Sequence, residues 1–209
     1  MGRPSENIVV RRVKGALGHG GVGIGSEMSG GVRNVYVHDC EFKGTDRGLR
    51  IKSMRGRGGV IENVWYERVR QQDLRQIGVE ITTFYGSSTL VPHTQTPPKI
   101  RGVHVRDVTT VGVKKAIEVV GLPESPIEDV SFDNVEISSH DGARCVDAQR
   151  VKFDHVKITP EKGPPFSLQN TRGVTVDHSC PGGVGGCVSV SGKSEQVTVD
   201  GAPATALAQ

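Results

Sequence analysis

The stretch Asn34-Val35-Tyr36-Val37-His38-Asp39-Cys40-Glu41-Phe42-Lys43-Gly44-Thr45-Asp46-Arg47-Gly48-Leu49-Arg50-Ile51-Lys52 holds two short alternating runs, Val35-Tyr36-Val37 and Leu49-Arg50-Ile51. Each places two apolar residues on one side of an extended segment and a polar or aromatic residue on the other. The first run recurs, usually after Asn, Gly or Asp. Its copies are Ile8-Val9-Val10, Val64-Trp65-Tyr66, Val103-His104-Val105, Val130-Ser131-Phe132, Val151-Lys152-Phe153 and Val174-Thr175-Val176. The first apolar residues are 27, 29, 39, 27, 21 and 23 positions apart. The second run follows each copy at a nearly constant separation: Val22-Gly23-Ile24, Leu49-Arg50-Ile51, Val79-Glu80-Ile81, Ile117-Glu118-Val119, Cys145-Val146, Phe166-Ser167-Leu168 and Val188-Ser189-Val190.

Two strands at a fixed offset inside units of variable length describe a coil with variable loops. The longest loop is expected over residues 83–99, with Pro92, Pro97 and Pro98. No segment keeps a 3.6-residue apolar period, so crossover helices and a doubly wound α/β fold are set aside. Ordinary hairpins would need regular two-residue turn signals, which do not recur. The pattern predicts an all-β parallel β-helix of about seven coils, with equivalent strands stacked about 4.8 Å apart into a rod of roughly 30–35 Å. Val and Ile form inward ladders. Leu49 and Ile51 point inward, so Arg50 and Lys52 point outward.

Composition agrees. Among 209 residues there are 28 glycines and only 4% aromatics, which favours tight turns and aliphatic ladders over an aromatic sandwich core. A net charge of +3 is too small to indicate nucleic acid. No apolar run approaches the roughly 18 residues of a membrane helix, and the first residues have no signal-peptide core. One domain is expected over 1–200, with 201–209 as a frayed tail. Only six residues precede the first coil at Asn7. A solenoid needs a cap on its terminal ladder, so coils are expected to be missing from the N-terminal end.

The four cysteines, Cys40, Cys145, Cys180 and Cys187, form no Cys-x-x-Cys. No structural metal or cofactor is therefore expected. Cys180 and Cys187 flank a six-residue Gly-rich segment and are open to either a disulfide or two thiols. Gly18-x-Gly20-x-x-Gly23 matches a dinucleotide fingerprint in form, but no helix pattern follows to receive a pyrophosphate.

Chemistry concentrates in Gly18-His19-Gly20, Ile24-Gly25-Ser26 and Arg50-Ile51-Lys52. This set, with Gly25-Ser26-Glu27-Met28-Ser29-Gly30-Gly31-Val32-Arg33-Asn34-Val35 between its parts, resembles the C-terminal portion of glycoside hydrolase family 28, the polygalacturonases and related pectin hydrolases, in its bacterial form. The similarity covers most of the chain and is strongest over residues 6–110. It implies a right-handed parallel β-helix and inverting hydrolysis of α-1,4 galacturonide links. His19 then resembles the histidine that adjusts the protonation of the catalytic carboxylates. Arg50 and Lys52 resemble the pair that binds the substrate carboxylate. Tyr85 resembles a tyrosine that contacts sugar at the cleavage site.

Inversion requires a carboxylic acid and a second carboxylate about 6.5–9.5 Å away. The family supplies them from an Asn-Thr-Asp motif and an Asp-Asp pair. Neither occurs in this chain. The resemblance thus implies an N-terminally truncated chain with negligible activity alone. Glu27, Asp39, Asp46 and Asp73 match no catalytic position and are set aside as substitutes. Between Thr45 and Arg57 stand five cations and one acid, a field suited to a polyanion; Arg47, Arg55 and Arg57 are secondary candidates. Trp65 is expected to cover a neighbouring loop. The expected partner is acidic polysaccharide, with no nucleic acid or membrane, and the full-length protein is expected to be a periplasmic or secreted monomer. The alternatives are a non-catalytic β-helix that binds acidic polysaccharide and a pectate lyase using Ca²⁺ held by acidic clusters.

Overall fold

The computed structural model describes residues 2–85, 96–181, 183 and 185–204. The described residues contain no helix. Eleven strands form one sheet system: β1 Ser5–Arg11, β2 Lys14–Ala16, β3 Val22–Ile24, β4 Val32–Lys43, β5 Arg47–Lys52, β6 Val60–Thr82, β7 Lys99–Val120, β8 Ile127–Asp177, β9 Val188–Ser191, β10 Glu195–Val199 and β11 Ala202–Pro203. β1, β4, β6, β7 and β8 pair in that order, all parallel, with a register shift in the β6–β7 ladder between Leu74 and Ile77 and in the β7–β8 ladder between Val111 and Val113. β3, β5 and β6 pair likewise on a second face. The 51-residue β8 runs through more than one coil. Its own coils stack with separations of 21 to 24 residues, as in the bonds of Arg150 to Asp129 and His178 to Asp154. The chain winds as a right-handed parallel β-helix.

The inward ladders follow the runs read from the sequence, except that the partner of Ile117 is Ala143, two residues before the expected Cys145-Val146, and Cys145 pairs with Val119. Ile8, Val35, Val64, Val103 and Val130 are successive partners. So are Val22, Leu49, Val79, Ile117 and Ala143. From Val35 and Leu49 onward their side chains are almost wholly buried. Aromatic residues stack inside the later coils: Phe132 lies on Phe153 at 5.0 Å, and Phe153 meets Phe166 at 5.0 Å. At the N-terminal end Ile8 and Val9 are 38% and 60% exposed, because their rung is covered on one side only.

The recurring Asn, Gly or Asp before each first strand now has a cause. Asn7, Asn34, Asn63, Gly102, Asp129, Arg150 and Gly173 all have φ between 53° and 64°. All of these except Arg150 are residue types that tolerate the left-handed conformation best. Asn34 donates to Asn7 at 3.0 Å and Asn63 to Asn34 at 3.2 Å, so the bend is also a polar ladder. A second bend follows at Arg12, Asp39, Arg68, Asp107, Asn134, His155 and His178.

Three details depart from expectation or complete it. Cys180 and Cys187 form a disulfide, with Cα atoms 5.8 Å apart. β10 adds a rung beyond Val174, with Val197 paired to it. Its bend residue is Gln196, φ 55°, outside the Asn/Gly/Asp signature. Of the segment expected to fray, Ala202–Pro203 pairs antiparallel with Thr198 and Val199, because Asp200 and Gly201 supply two positive-φ residues for a tight reversal. Residues 205–209, and most of the long loop expected over 83–99, lie outside the described residues.

Candidate active site

His19 sits in the glycine-rich turn between β2 and β3. Two backbone bonds fasten that turn to the next coil: Asp46 N to Gly18 O at 2.9 Å and Gly21 N to Arg47 O at 2.9 Å. A Cβ on Gly21 would meet the Phe42 ring at 2.5 Å, so glycine there lets the turn lie flat on the core. The imidazole projects from the surface, 94% exposed, with Nδ1 3.0 Å from Asp46 Oδ2. Arg75 Nε lies 2.9 Å from the other Asp46 oxygen.

A one-residue bulge puts Arg75 there. Lys43 pairs with Gln72 and Arg47 with Ile77, so the register slips once between these pairs. Arg75 and Gln76 are thrown toward the preceding coil, where their N–H groups donate to Thr45 O and Asp46 O. The Asp46 carboxyl is held below its ordinary value of 3.8 by the His19 hydrogen bond first, then by the charges of Arg75, His19 and Arg47, against a burial effect in the opposite sense. A carboxylate with a lowered folded pKa stabilises fully above its unfolded value, and that contribution is lost as pH falls through the lowered value. Asp46→Asn should therefore remove part of the acid-side loss of stability. Urea midpoints of the two proteins between about pH 2 and pH 6 check this; superimposable acid limbs would count against it.

Arg50, Lys52 and Tyr85 meet one coil below the glycine-rich turn. A Cβ on Gly25, φ +88°, would lie 2.0 Å from Lys52 O, so only glycine permits this close stacking on β5. Tyr85 N donates to Ser53 O at 3.0 Å, which draws the tyrosine against the end of β5. Lys52 Nζ stands 4.2 Å from the centre of the Tyr85 ring and Arg50 Cζ 5.1 Å. Among the described residues no carboxylate pairs with Lys52.

Arg50 is more enclosed than an outward strand position suggests, at 14% exposure. Its Nε donates to Glu80 Oε2 at 2.7 Å. Arg47 Nε is 2.6 Å from the same oxygen, but its N–H is not aligned for a hydrogen bond; it contributes charge rather than direction. Glu80 stands beside Arg50 because the two are register partners. The outward ladder continues through Glu118 to Arg144. An open cleft of ≈580 Å³ runs along it, lined by Arg47, Arg50, Glu80, Tyr85, Glu118 and Arg144 among others. His19 lies beyond its end, connected through Asp46 and its neighbour Arg47.

The concentrated positive field expected from residues 45–57 is therefore corrected. Arg47 and Arg50 face Glu80, Arg55 makes a two-pronged contact with Glu124 at 2.6 and 3.0 Å, and Arg57 pairs with Glu27. These acids are distant in sequence and enter only through coil stacking. The other acids set aside earlier are also engaged: Asp39 with Arg68 and His38, Asp73 with Lys43. Trp65 lies on an outward row between its register partners Tyr36 and His104, its ring 5.3 Å from His104. Asp46, Arg75 and Glu80 are the participants that residue types alone did not reveal.

The chain is a parallel β-helix with a histidine turn stacked above an Arg-x-Lys strand that meets a tyrosine. Residues 2–180 match the family Glycosyl hydrolases family 28, and the chain belongs to that family. It is 27% identical over 210 residues to a polygalacturonase of Chamaecyparis obtusa, covering 91% of this chain and 40% of that protein. A polygalacturonase of Ralstonia solanacearum is 27% identical, with 98% of this chain and 37% of the relative aligned. Among solved structures, a hyperthermoactive exopolygalacturonase from Thermotoga maritima superposes with a TM-score of 0.67 and 27% identity, over 75% of this chain and 35% of that one. The chain thus spans well under half the length of these relatives.

Proposed function

We propose that this chain forms part of the substrate cleft of a polygalacturonase-type glycoside hydrolase acting on pectin's acidic backbone. Arg50 and Lys52 bind a galacturonate carboxylate. Tyr85 offers a ring face to the sugar. His19, oriented by Asp46, adjusts the protonation of catalytic carboxylates. The observation that carries this reading is the convergence of Arg50 and Lys52 on the Tyr85 ring, with Lys52 Nζ 4.2 Å from its centre. Two cations beside one aromatic face suit a sugar that carries a carboxylate.

The chain itself is proposed to bind rather than cleave. An inverting hydrolase needs an acid and a base across the bond. Of the cleft carboxylates, Glu80 is held by two arginines and Glu118 by Lys115, while the pKa of Asp147 is raised by burial and its carboxyl is hydrogen-bonded to Asn170, with no second free carboxylate beside it among the described lining residues. The setting is proposed to be periplasmic or extracellular, supported by the Cys180–Cys187 disulfide. No helix of the described residues is long and apolar enough to cross a membrane.

Retardation of the chain in native gels containing polygalacturonate tests the binding. R50A/K52A is expected to weaken it by more than tenfold, since each charge-assisted hydrogen bond contributes about 1.5–3 kcal/mol. Equal retardation of both proteins would refute the assignment. A parallel assay of reducing ends is expected to show no release by the chain alone, and clear turnover would overturn the division of labour.

A further inference from the structure

A second cluster lies far along the chain from the cleft residues, on the outer bend of the last coils. The sequence repeats Asp154-His155 as Asp177-His178, 23 residues on. Coil stacking superposes the repeats. Both histidines occupy the left-handed bend position, φ 53° and 50°, and their rings stack with centres 4.5 Å apart. Nδ1 of each ring lies 2.9 Å from one and the same oxygen, Asp154 Oδ1. The other oxygen, Oδ2, accepts from Lys152 Nζ at 2.9 Å.

We infer that His155, His178 and Asp154 form a binding site for a divalent transition cation of the zinc type, bridging two successive coils. One carboxylate oxygen and two imidazole nitrogens converge from different coils, with all three donor atoms within 4.8 Å of one another. Two nitrogens and an oxygen with an open fourth position form a recognised donor set for zinc. Tetrahedral donors about 2.0–2.2 Å from the metal stand roughly 3.3 Å apart, so the 2.9 Å contacts need to open by only a few tenths of an ångström. The binding step is simple in its balance: each Nδ1 presents its lone pair, and its proton passes to Nε2 or to solvent.

The surroundings favour a cation. Asp200 accepts from the His178 backbone N–H at 2.7 Å, and Asp177 precedes it in the chain. Lys152 opposes metal binding, but its side chain is 55% exposed and holds the oxygen turned away from the rings. The sequence alone gives no metal signal, because the histidines are 23 residues apart rather than on one turn. No ligand spacing of a familiar finger or loop motif is present. This site is independent of the saccharide reading, since it shares no residue with the cleft.

Titration calorimetry of the chain with zinc chloride at pH 8 tests it. One saturable equivalent is expected. H155N/H178N should weaken that binding at least tenfold, as loss of ligands or of their supporting partners does. Asn suits the left-handed bend, and both side chains are over 60% exposed, so the variant should fold; its far-ultraviolet circular dichroism confirms this. Zinc should also raise the thermal midpoint of the parent but not of the variant, because the ion ties two coils in the folded state only. Absence of saturable binding would overturn the inference. Binding that survives in H155N/H178N would place the ion on other histidines and overturn it equally.

Discussion

Val103→Asp is expected to abolish the folded state. Val103 is fully buried and forms a rung between Val64 and Val130. An aspartate there would bring a carboxylate into a wall of aliphatic side chains with no donor or cation facing it. The penalty after relaxation is still several kcal/mol, and the valine's own burial, about 1.5–3 kcal/mol, is lost as well. Set against a typical net stability of about 5–15 kcal/mol, that sum is enough to unfold a domain. The solenoid adds to the effect, because each coil is held mainly by its neighbours and a broken central rung separates the two ends. The expected result is loss of the β signal in circular dichroism and of a cooperative urea transition. Thr109→Asp, an exposed position on the same strand, should leave the midpoint within about 0.5 kcal/mol of the parent. Parent-like unfolding of Val103→Asp would mean that the ladder is not the core.

Glu80→Ala carries the next largest effect. Glu80 is 7% exposed, and Arg47 and Arg50, which share its Oε2, are 15% and 14% exposed. Removing the carboxylate leaves two enclosed guanidinium groups facing each other without an anion. Breaking an enclosed pair from one side costs about 3–5 kcal/mol. Most of that is the penalty of uncompensated charge, not the worth of the pair. The decisive comparison is therefore a triple variant, Arg47→Met, Glu80→Leu and Arg50→Met. It should be more stable than Glu80→Ala alone, although it lacks the whole ion cluster. Urea midpoints of the three proteins decide. If Glu80→Ala is neutral, the arginines do not depend on Glu80. If the triple variant is the least stable, the loss comes from packing rather than from charge.

Glu80 also bears on binding. It fixes Arg50 through an aligned hydrogen bond, so the guanidinium presents its remaining donors in one orientation beside Tyr85. Neutralising part of the charge is compatible with a polyanion ligand. A cluster of bare cations would attract any polyanion, whereas an oriented one discriminates by geometry. In the proposed binding role Lys52, which pairs with no carboxylate among the described residues, would supply the attraction and Arg50 the direction.

The coil repeat was legible because stacking imposes the same constraint at every rung. Val35, Val64 and Val103 must each be small, apolar and inward, and Asn34, Asn63 and Gly102 must each tolerate a positive φ. Local chemistry writes such constraints directly into residue type. The rung at Val197 is not among those read from the sequence; its bend residue Gln196, like Arg150 before Val151, lies outside the Asn/Gly/Asp signature, and only the pairing with Val174 reveals it. The site was legible only where a motif names it. His19, Arg50, Lys52 and Tyr85 came from the family resemblance, and the structure gathers the last three at one place.

The chain's own order of residues determined that strands would alternate, bend at fixed points and pile into a solenoid, since each of these follows from side-chain size and backbone torsion within a few residues. It did not determine which charge faces which. Arg50 finds Glu80 at a separation of 30, His19 finds Asp46 at 27 and Arg55 finds Glu124 at 69. Those separations are set by the length of every intervening loop, and a single inserted residue, as in the bulge at Arg75, changes the partner. Electrostatic pairing in a stacked coil is a property of register, and register exists only once the whole chain has wound.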